Sequence, residues 1–95
     1  MIVHLVCFKY RADVDSGTRG AHRDRLRALA DLDGVIDLKV GADLVRSERS
    51  YDTGLVVVFS DLGALAAYRD HPRHVPVAQF GAGLCHSIVA ADFEA

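Results

Sequence analysis

The chain has almost no excess charge of either sign. Its 95 residues include 11 lysines and arginines against 13 aspartates and glutamates, a formal net charge of −2. The arginines are scattered among aspartates, so no basic patch is available for the phosphates of a nucleic acid. A run of about 18 apolar residues, which a membrane span would need, is absent, and so is a signal-peptide pattern. We therefore expect a cytoplasmic protein that binds neither nucleic acid nor membrane.

The motifs of common cofactor and nucleophile sites are also missing. Gly81-Ala-Gly83 precedes a strand-like segment rather than a helix, so it is not a phosphate-binding loop, and no serine lies in a nucleophile elbow. His71 and His74 are three residues apart, but Pro72 interrupts the helix that would bring them to one metal. The sequence therefore predicts neither a cofactor nor a metal site.

Cysteine is scarce as well. Cys7 and Cys85 are the only two, and each lies in an apolar segment. In a reducing compartment such residues behave as small buried hydrophobes. A disulfide between them would require the first and last strands to be neighbours.

Apolar residues, in contrast, are abundant. They make up 51% of the chain, whereas charged residues make up 25%. A chain of this size buries only about two-thirds of the surface that its unfolded form exposes. The surplus of apolar residues predicts burial against a partner, and we expect a symmetric homodimer.

The hydrophobic pattern predicts one domain over residues 1–95 with the order β-α-β-β-α-β. We predict helix N-caps at Asp13, Asp15 or Ser16 and at Ser60 or Asp61, a helix end at Gly34, and a bulge or a close backbone approach at Gly41. Gly81 and Gly83 should stop the last helix. The predicted strands are 2–10, 35–45, 51–60 and 84–93, and the predicted helices are 13–33, 62 to about 70, and a short one over 75–80.

This order is that of the ferredoxin-like fold, an α+β fold with a four-stranded antiparallel sheet and both helices on one face. Residues 2–10 are apolar on both sides of the predicted strand, so the face without helices also needs a cover. Each Val, Leu or Phe buried there contributes roughly 1.5–3 kcal/mol. We therefore predict that two sheets pair as a dimeric α/β barrel.

The segment Tyr68-Arg-Asp-His-Pro-Arg-His74 concentrates reactive side chains at a break in the chain. Pro72 and Pro76, the only prolines, should end the second helix near residue 70, and Tyr68 at its end can anchor a hydrogen bond or simply pack. We predict that His71 caps the broken helix end.

For three other histidines and a tyrosine, the sequence gives weaker evidence of a functional role. His4 shares a strand face with Val6 and Phe8, and an imidazole there can act as a general acid or base or simply pack. We expect His22 to be solvated among helix charges, and His86 to be buried or to face the helices. Tyr51 can be a gate or an ordinary edge aromatic.

The chain resembles the stress-responsive α/β-barrel domain (Dabb) family, part of the dimeric α/β-barrel superfamily, which includes the plant enzyme olivetolic acid cyclase. The resemblance covers nearly the whole length in order. The matching segments are His4-Leu-Val-Cys-Phe-Lys-Tyr10, Gly34-Val35 with Val40-Gly41, Tyr51-Asp-Thr-Gly-Leu-Val-Val-Val-Phe59, Ala67-Tyr68 with His71-Pro-Arg-His74-Val75, and Asp92-Phe93.

The resemblance implies a homodimer with a ligand cavity in each half of the barrel. It implies that His74 is a catalytic base, that Tyr68 assists it and that His4 lines the pocket. The cyclase has a histidine at the position of Thr53 and a tyrosine near the position of Arg25, so its substrate is not carried over. Some members hold a cation on backbone carbonyls, which would fall near Leu29, Leu32 and Val35. The predicted pocket residues are His4, Phe8, Tyr51 and Thr53.

Three functions remain open at this point. The first is a cofactor-independent enzyme, or a binder, of a small apolar or aromatic ligand. The second is a structural or protective protein with a filled interior. The third is a relative of the small cofactor-free monooxygenases, which share the dimeric barrel.

Overall fold

The structure, a computed structural model, describes all 95 residues. The strands are β1 (Ile2–Tyr10), β2 (Val35–Ala42), β3 (Thr53–Phe59) and β4 (Cys85–Glu94). The helices are α1 (Ser16–Arg27), continued by a 3-10 turn (Ala28–Asp31), α2 (Leu62–Arg69) and α3 (His74–Leu84). The strands form one antiparallel sheet in the order β2-β3-β1-β4. This confirms the predicted ferredoxin-like fold. No helix has the length and apolar character that crossing a membrane would require.

Side-chain caps fix where α1 and α2 begin. The Asp15 carboxylate accepts a hydrogen bond of 2.7 Å from the backbone N–H of Thr18, and Asp61 caps α2 in the same way. The first helix is shorter than predicted, because its regular part ends at Arg27 and tightens into the 3-10 turn. Gly34 has a φ of 88°, which confirms the predicted left-handed residue between this turn and β2.

Two predictions about glycines are wrong. Gly81 and Gly83 do not stop α3, which continues to Leu84. Gly81 is instead where α3 meets α1, since a Cβ there would lie 2.6 Å from Nε2 of His22. Gly41 forms neither a bulge nor a close approach: it pairs regularly with Gly54, and a Cβ there would meet nothing within 4 Å. The irregularities in register lie elsewhere, between Val35 and Asp37 and between Lys9 and Tyr10.

The core lies between the helices and one face of the sheet. Alternate residues of β1 and β3 point toward the helices and meet the apolar side chains of α1, the 3-10 turn and α2. Val57 and Phe59 of β3 have no exposed surface at all. The buried cluster consists of Ile2, Val6, Phe8, Leu26, Leu29, Leu32, Leu55, Val57, Phe59, Leu65 and Tyr68.

The opposite face of the sheet carries no helix. Strand alternation and register place mainly apolar side chains on it, and those of β4 are the most exposed. Val89 and Phe93 are each 47% exposed, an unusual degree for large apolar residues in a sheet. The residues of this open face include Val3, Leu5, Cys7, Val56, Val58, Val89, Ala91 and Phe93.

The two cysteines do not form a disulfide. Strands β1 and β4 are neighbours, as a disulfide would require, but Cys7 lies opposite Val89 and Cys85 lies opposite Tyr10. Cys7 belongs to the open face, whereas Cys85 packs against the core. Both thiols are free, in agreement with their interpretation as small apolar residues.

Candidate functional site

One cavity between the sheet and the helices is lined by three histidines, and we call it the histidine cavity. His4 comes from β1, His22 from α1 and His74 from α3, and the cavity has a volume of about 170 Å³. An apolar cavity of roughly 150 Å³ is large enough for benzene. The remaining wall is apolar and consists of Val6, Phe8, Leu26, Leu55, Val77, Ala78 and Ile88.

His74 is held with one ring nitrogen free. It is the first residue of α3, and its Nδ1 lies 2.9 Å from the carbonyl oxygen of Arg69 at the end of α2. A carbonyl oxygen can only accept, so Nδ1 carries the hydrogen and donates it. Nε2 therefore keeps its lone pair and is available to take a proton in the cavity.

Tyr68 is a buried phenol beside this histidine. Its ring centroid lies 4.4 Å from that of His74 and 6.2 Å from that of His4, and the residue is only 3% exposed. Its hydroxyl has no hydrogen-bond partner, and burial raises the pKa of Tyr68 to about 12. Tyr68 does not itself line the histidine cavity, but it contacts His74, which does. A protonated phenol next to a ring with a free lone pair can donate a hydrogen bond to a bound oxygen.

His4 is oriented by a carboxylate that the sequence analysis did not single out. Asp92 lies directly opposite His4 in the pairing of β1 with β4, and its Oδ1 is 2.5 Å from Nδ1 of His4. The carboxylate accepts the Nδ1 hydrogen, so in the neutral ring the Nε2 of His4 has a free lone pair. The predicted fold already placed the strands of His4 and Asp92 side by side, because the first and last strands of a ferredoxin-like sheet are antiparallel neighbours.

His22 is buried, so the prediction that it is solvated is wrong. It is 1% exposed, and burial, followed by the charges of Arg23 and Arg25, lowers the pKa of His22 to about 4. The imidazole is therefore neutral at physiological pH. Its Nδ1 lies 2.7 Å from the hydroxyl of Tyr10, and its Nε2 has no partner.

The other predicted pocket residues lie in different places. Phe8 lines the histidine cavity, with its ring edge-on to His22 at a centroid distance of 4.8 Å. Thr53 is buried, but its hydroxyl bonds to Tyr10. Thr53 and Tyr51 border a separate, more open hollow of about 400 Å³ beside the open face. The structure therefore brings His4, Phe8 and His74 to one cavity, and leaves Thr53 and Tyr51 outside its wall.

Three further residues named in the sequence analysis lie outside the histidine cavity. His71 accepts a hydrogen bond of 3.0 Å at Nδ1 from the backbone N–H of Arg73, the residue before α3, so its side chain does not cap the end of α2 as predicted. His86 is exposed near the register irregularity of β4, which corrects the expectation that it is buried or faces the helices. The guanidinium of Arg25 lies 3.9 Å from the ring centroid of Phe80, outside the wall of the histidine cavity.

The segment associated with a backbone-held cation is a tight turn. The carbonyl of Leu29 accepts from the N–H of Leu32 at 3.2 Å, and the carbonyl of Leu32 accepts from the N–H of Val35 at 3.1 Å. Each of these two carbonyl oxygens therefore already accepts one hydrogen bond from within the chain.

Comparisons with known proteins agree with this architecture. The model of the stress responsive A/B barrel domain family matches residues 2–95. A dimeric ferredoxin-like protein from Thermobifida fusca superposes with a TM-score of 0.91 at 25% identity, over 99% of this chain and 90% of that one. A Dabb family protein from Mesorhizobium loti superposes with a TM-score of 0.82 at 23% identity, over 99% and 95%.

An enzyme is also among the similar structures. The hydroxynitrile lyase from Passiflora edulis superposes with a TM-score of 0.87 at 14% identity, over 97% of this chain and 90% of that one. At this identity the likeness concerns the fold alone. No protein with a curated description matches the sequence.

Proposed function

Since the chain belongs to the stress responsive A/B barrel domain family, we propose that it is a homodimer whose protomers each bind a small, partly apolar molecule. We propose further that it acts on this molecule as a cofactor-independent enzyme of the cyclase or lyase type. The observation that carries the proposal is the histidine cavity itself. It combines an apolar wall with two histidines, His4 and His74, whose neutral rings donate from Nδ1 and keep the Nε2 lone pair free.

His74 is the general base of the proposed reaction. With Nδ1 bound to the Arg69 carbonyl, Nε2 accepts a proton from an acidic C–H or O–H of the ligand. Tyr68 packs against His74 outside the cavity wall, and in the proposed reaction it turns its unpartnered hydroxyl toward the oxygen on which negative charge develops. His4, held by Asp92, offers a second Nε2 in the same cavity. The three groups supply proton transfer and charge stabilisation, which aldol-type ring closure and carbon–carbon cleavage both need.

The size of the histidine cavity restricts the ligand. A volume of about 170 Å³ accommodates one six-membered ring with a short substituent, by comparison with the roughly 150 Å³ that suffices for benzene. The apolar wall favours an aromatic or aliphatic body. We therefore propose a single-ring substrate with one or two polar groups.

An aromatic hydroxynitrile is a suitable first substrate, since a lyase for this class of compound shares the fold. In mandelonitrile cleavage, the hydroxyl proton moves to Nε2 of His74, and the carbonyl forms as the bond to the nitrile carbon breaks. The leaving cyanide then takes this proton back from His74 and departs as HCN. The test measures benzaldehyde release by the wild-type protein, His74→Ala and the exposed control His86→Ala. A parallel assay follows deuterium exchange of an aromatic β-diketone.

The expected loss in His74→Ala is about 10²- to 10⁴-fold, the usual contribution of a general base, while His86→Ala retains full activity. Equal rates in the wild-type protein and His74→Ala, for both substrates, would show that His74 is not the base. Calorimetric binding of phenol separates binding from catalysis. Failure of phenol to bind at all would remove the small-molecule proposal itself.

The open face supports the homodimer. Its valines, Leu5 and Phe93 lie uncovered in one protomer, and similar structures are described as dimeric. We propose that two open faces pack together about a twofold axis. Val56→Lys, on the open face, should give a monomer in sedimentation equilibrium, whereas Leu62→Lys, on the exposed surface of α2, should leave the dimer intact. A dimer that survives Val56→Lys would place the interface elsewhere.

The protective alternative has less support. It predicts a filled barrel interior between two sheets, and it gives no role to the titratable side chains that line the histidine cavity of each protomer. Oxygen consumption with a quinol would instead favour the monooxygenase alternative. The cytoplasmic location stays a prediction from the sequence.

A further inference from the structure

His22 is the histidine that the proposed function does not use. It lines the histidine cavity with His4 and His74, but its Nδ1 contacts a different kind of group. His4 and His74 each donate from Nδ1 to a carboxylate or carbonyl oxygen. His22 instead meets a hydroxyl at Nδ1 and has an unpartnered Nε2.

A chain of hydrogen bonds from Arg23 through Thr53 and Tyr10 indicates which nitrogen of His22 carries the hydrogen. The guanidinium of Arg23 can only donate, and it donates to Oγ1 of Thr53 at 3.0 Å. We infer that the Thr53 hydroxyl, polarised by Arg23, donates in turn to the Tyr10 oxygen at 2.9 Å, and that the Tyr10 hydroxyl donates to Nδ1 of His22 at 2.7 Å. Donation in one direction strengthens each bond in turn. Nδ1 thus accepts, and in the neutral imidazole Nε2 carries the hydrogen.

The fold makes no use of this Nε2–H. The atom is buried beside Gly81 of α3, where the backbone offers it no acceptor. Burying an unpartnered donor opposes folding, and a phenylalanine would fill the same space without that cost. A polar group kept in such a position at the wall of a cavity indicates a partner that arrives with the ligand.

We propose that His22 is the specificity residue of the histidine cavity and donates its Nε2–H to an acceptor oxygen of the ligand. The ligand class is then a single ring with a proton-bearing group toward His74 and a carbonyl-type oxygen toward His22. This inference rests on the proposed function and narrows its substrate.

Helix α3 provides the access that this contact needs. It supplies three residues of the cavity wall, yet Gly81 is the single buried residue among its eleven. An element with so little buried side chain is held weakly and opens at low free-energy cost. The proposed contact requires a small outward shift of α3 from α1, which would uncover the Nε2–H of His22 to the ligand.

The test compares three probes of similar size by titration calorimetry. The probe 4-hydroxybenzaldehyde carries both polar groups, 4-methylphenol lacks the acceptor, and benzaldehyde lacks the donor. His22→Phe should weaken the binding of both aldehydes by about 3- to 10-fold, the contribution of one neutral hydrogen bond, and should leave 4-methylphenol unchanged. His22→Gln, which keeps an N–H donor near the same place, should restore part of the preference for the aldehydes.

Each outcome separates the two proposals. If 4-methylphenol and the aldehydes weaken equally in His22→Phe, or if none weakens, the specificity role is overturned while the small-molecule cavity stands. If no probe binds the wild-type protein, the proposed function fails, and this inference fails with it. Nitrogen-15 NMR of the wild-type protein gives a check without ligand: the expected tautomer of His22 has its hydrogen on Nε2, and a hydrogen on Nδ1 would overturn the assignment.

Discussion

Asp92 and His4 form a hydrogen bond of 2.5 Å across the pairing of the last strand with the first. The carboxylate is 41% exposed, whereas the His4 side chain is 18% exposed and reaches the histidine cavity. The pair therefore connects the surface of the sheet with the interior. It also fixes the ring of His4, since the carboxylate accepts the Nδ1 hydrogen and Nε2 is left outside this bond.

Replacing this carboxylate tests its role in orienting His4. In Asp92→Asn the amide oxygen can still accept from Nδ1, but the charge is lost, and a neutral hydrogen bond is weaker than a charge-assisted one. We expect phenol affinity and turnover to fall by about 3- to 10-fold, a modest effect because Asp92 is partly exposed. The control Glu94→Gln removes a charge from the same strand. Equal effects of the two variants would indicate a general charge effect.

Burial of His22 predicts a dependence of stability on pH. The unfolded chain binds a proton at His22 with a pKa near 6.5, whereas the folded chain binds it only near 4. Between these values the unfolded state holds more protons, so stability falls as pH is lowered from 6.5 to 4, by about 3 kcal/mol in total. Urea unfolding at a series of pH values and fixed protein concentration measures this loss. His22→Phe should abolish the loss of stability that is due to His22. The same pH profile in the wild-type protein and in His22→Phe would contradict the burial of a neutral imidazole.

The fold could be predicted because its pattern is local. Strand segments with apolar residues on both sides, capping aspartates and the glycine at position 34 each depend on a few neighbouring residues. The element order then leaves few topologies to choose from. The end of α3 was mispredicted because Gly81 is a contact with another helix, which no local rule contains.

The site was harder to predict because it depends on register and on helix faces. His22 lies four residues before Leu26 and seven before Leu29, so it shares their buried stripe, but the adjacent arginines suggested a solvated position. The hydrogen bond between Asp92 and His4, which are 88 residues apart in sequence, depends on the register of the first and last strands. Side-chain identity alone does not contain that information.

The contact between Gly81 and His22 predicts opposite effects for two glycine substitutions in α3. A Cβ at Gly81 would lie 2.6 Å from Nε2 of His22, whereas a Cβ at Gly83 would meet nothing within 4 Å. Gly81→Ala should therefore destabilise the protein by about 1–3 kcal/mol through overpacking. Gly83→Ala should stabilise it by up to about 1 kcal/mol through helix propensity. Chemical unfolding of both variants checks the difference, and similar values for the two would contradict the close approach of α1 and α3.

The unpartnered hydroxyl of Tyr68 predicts a variant that gains stability while it loses function. Tyr68→Phe keeps the ring against His74 but removes a buried group that has no hydrogen bond, so we expect stabilisation of about 1 kcal/mol. The matched control is Tyr51→Phe, which removes a hydroxyl bonded to Ser87 at 2.9 Å and should destabilise by a similar amount. Urea midpoints at constant m-value measure both changes. In mandelonitrile cleavage, Tyr68→Phe should be slower by about 10-fold or more, because the developing oxygen anion loses its donor. A Tyr68→Phe protein with lower stability would mean that the hydroxyl is bonded in the folded state, and one with full activity would remove Tyr68 from the mechanism.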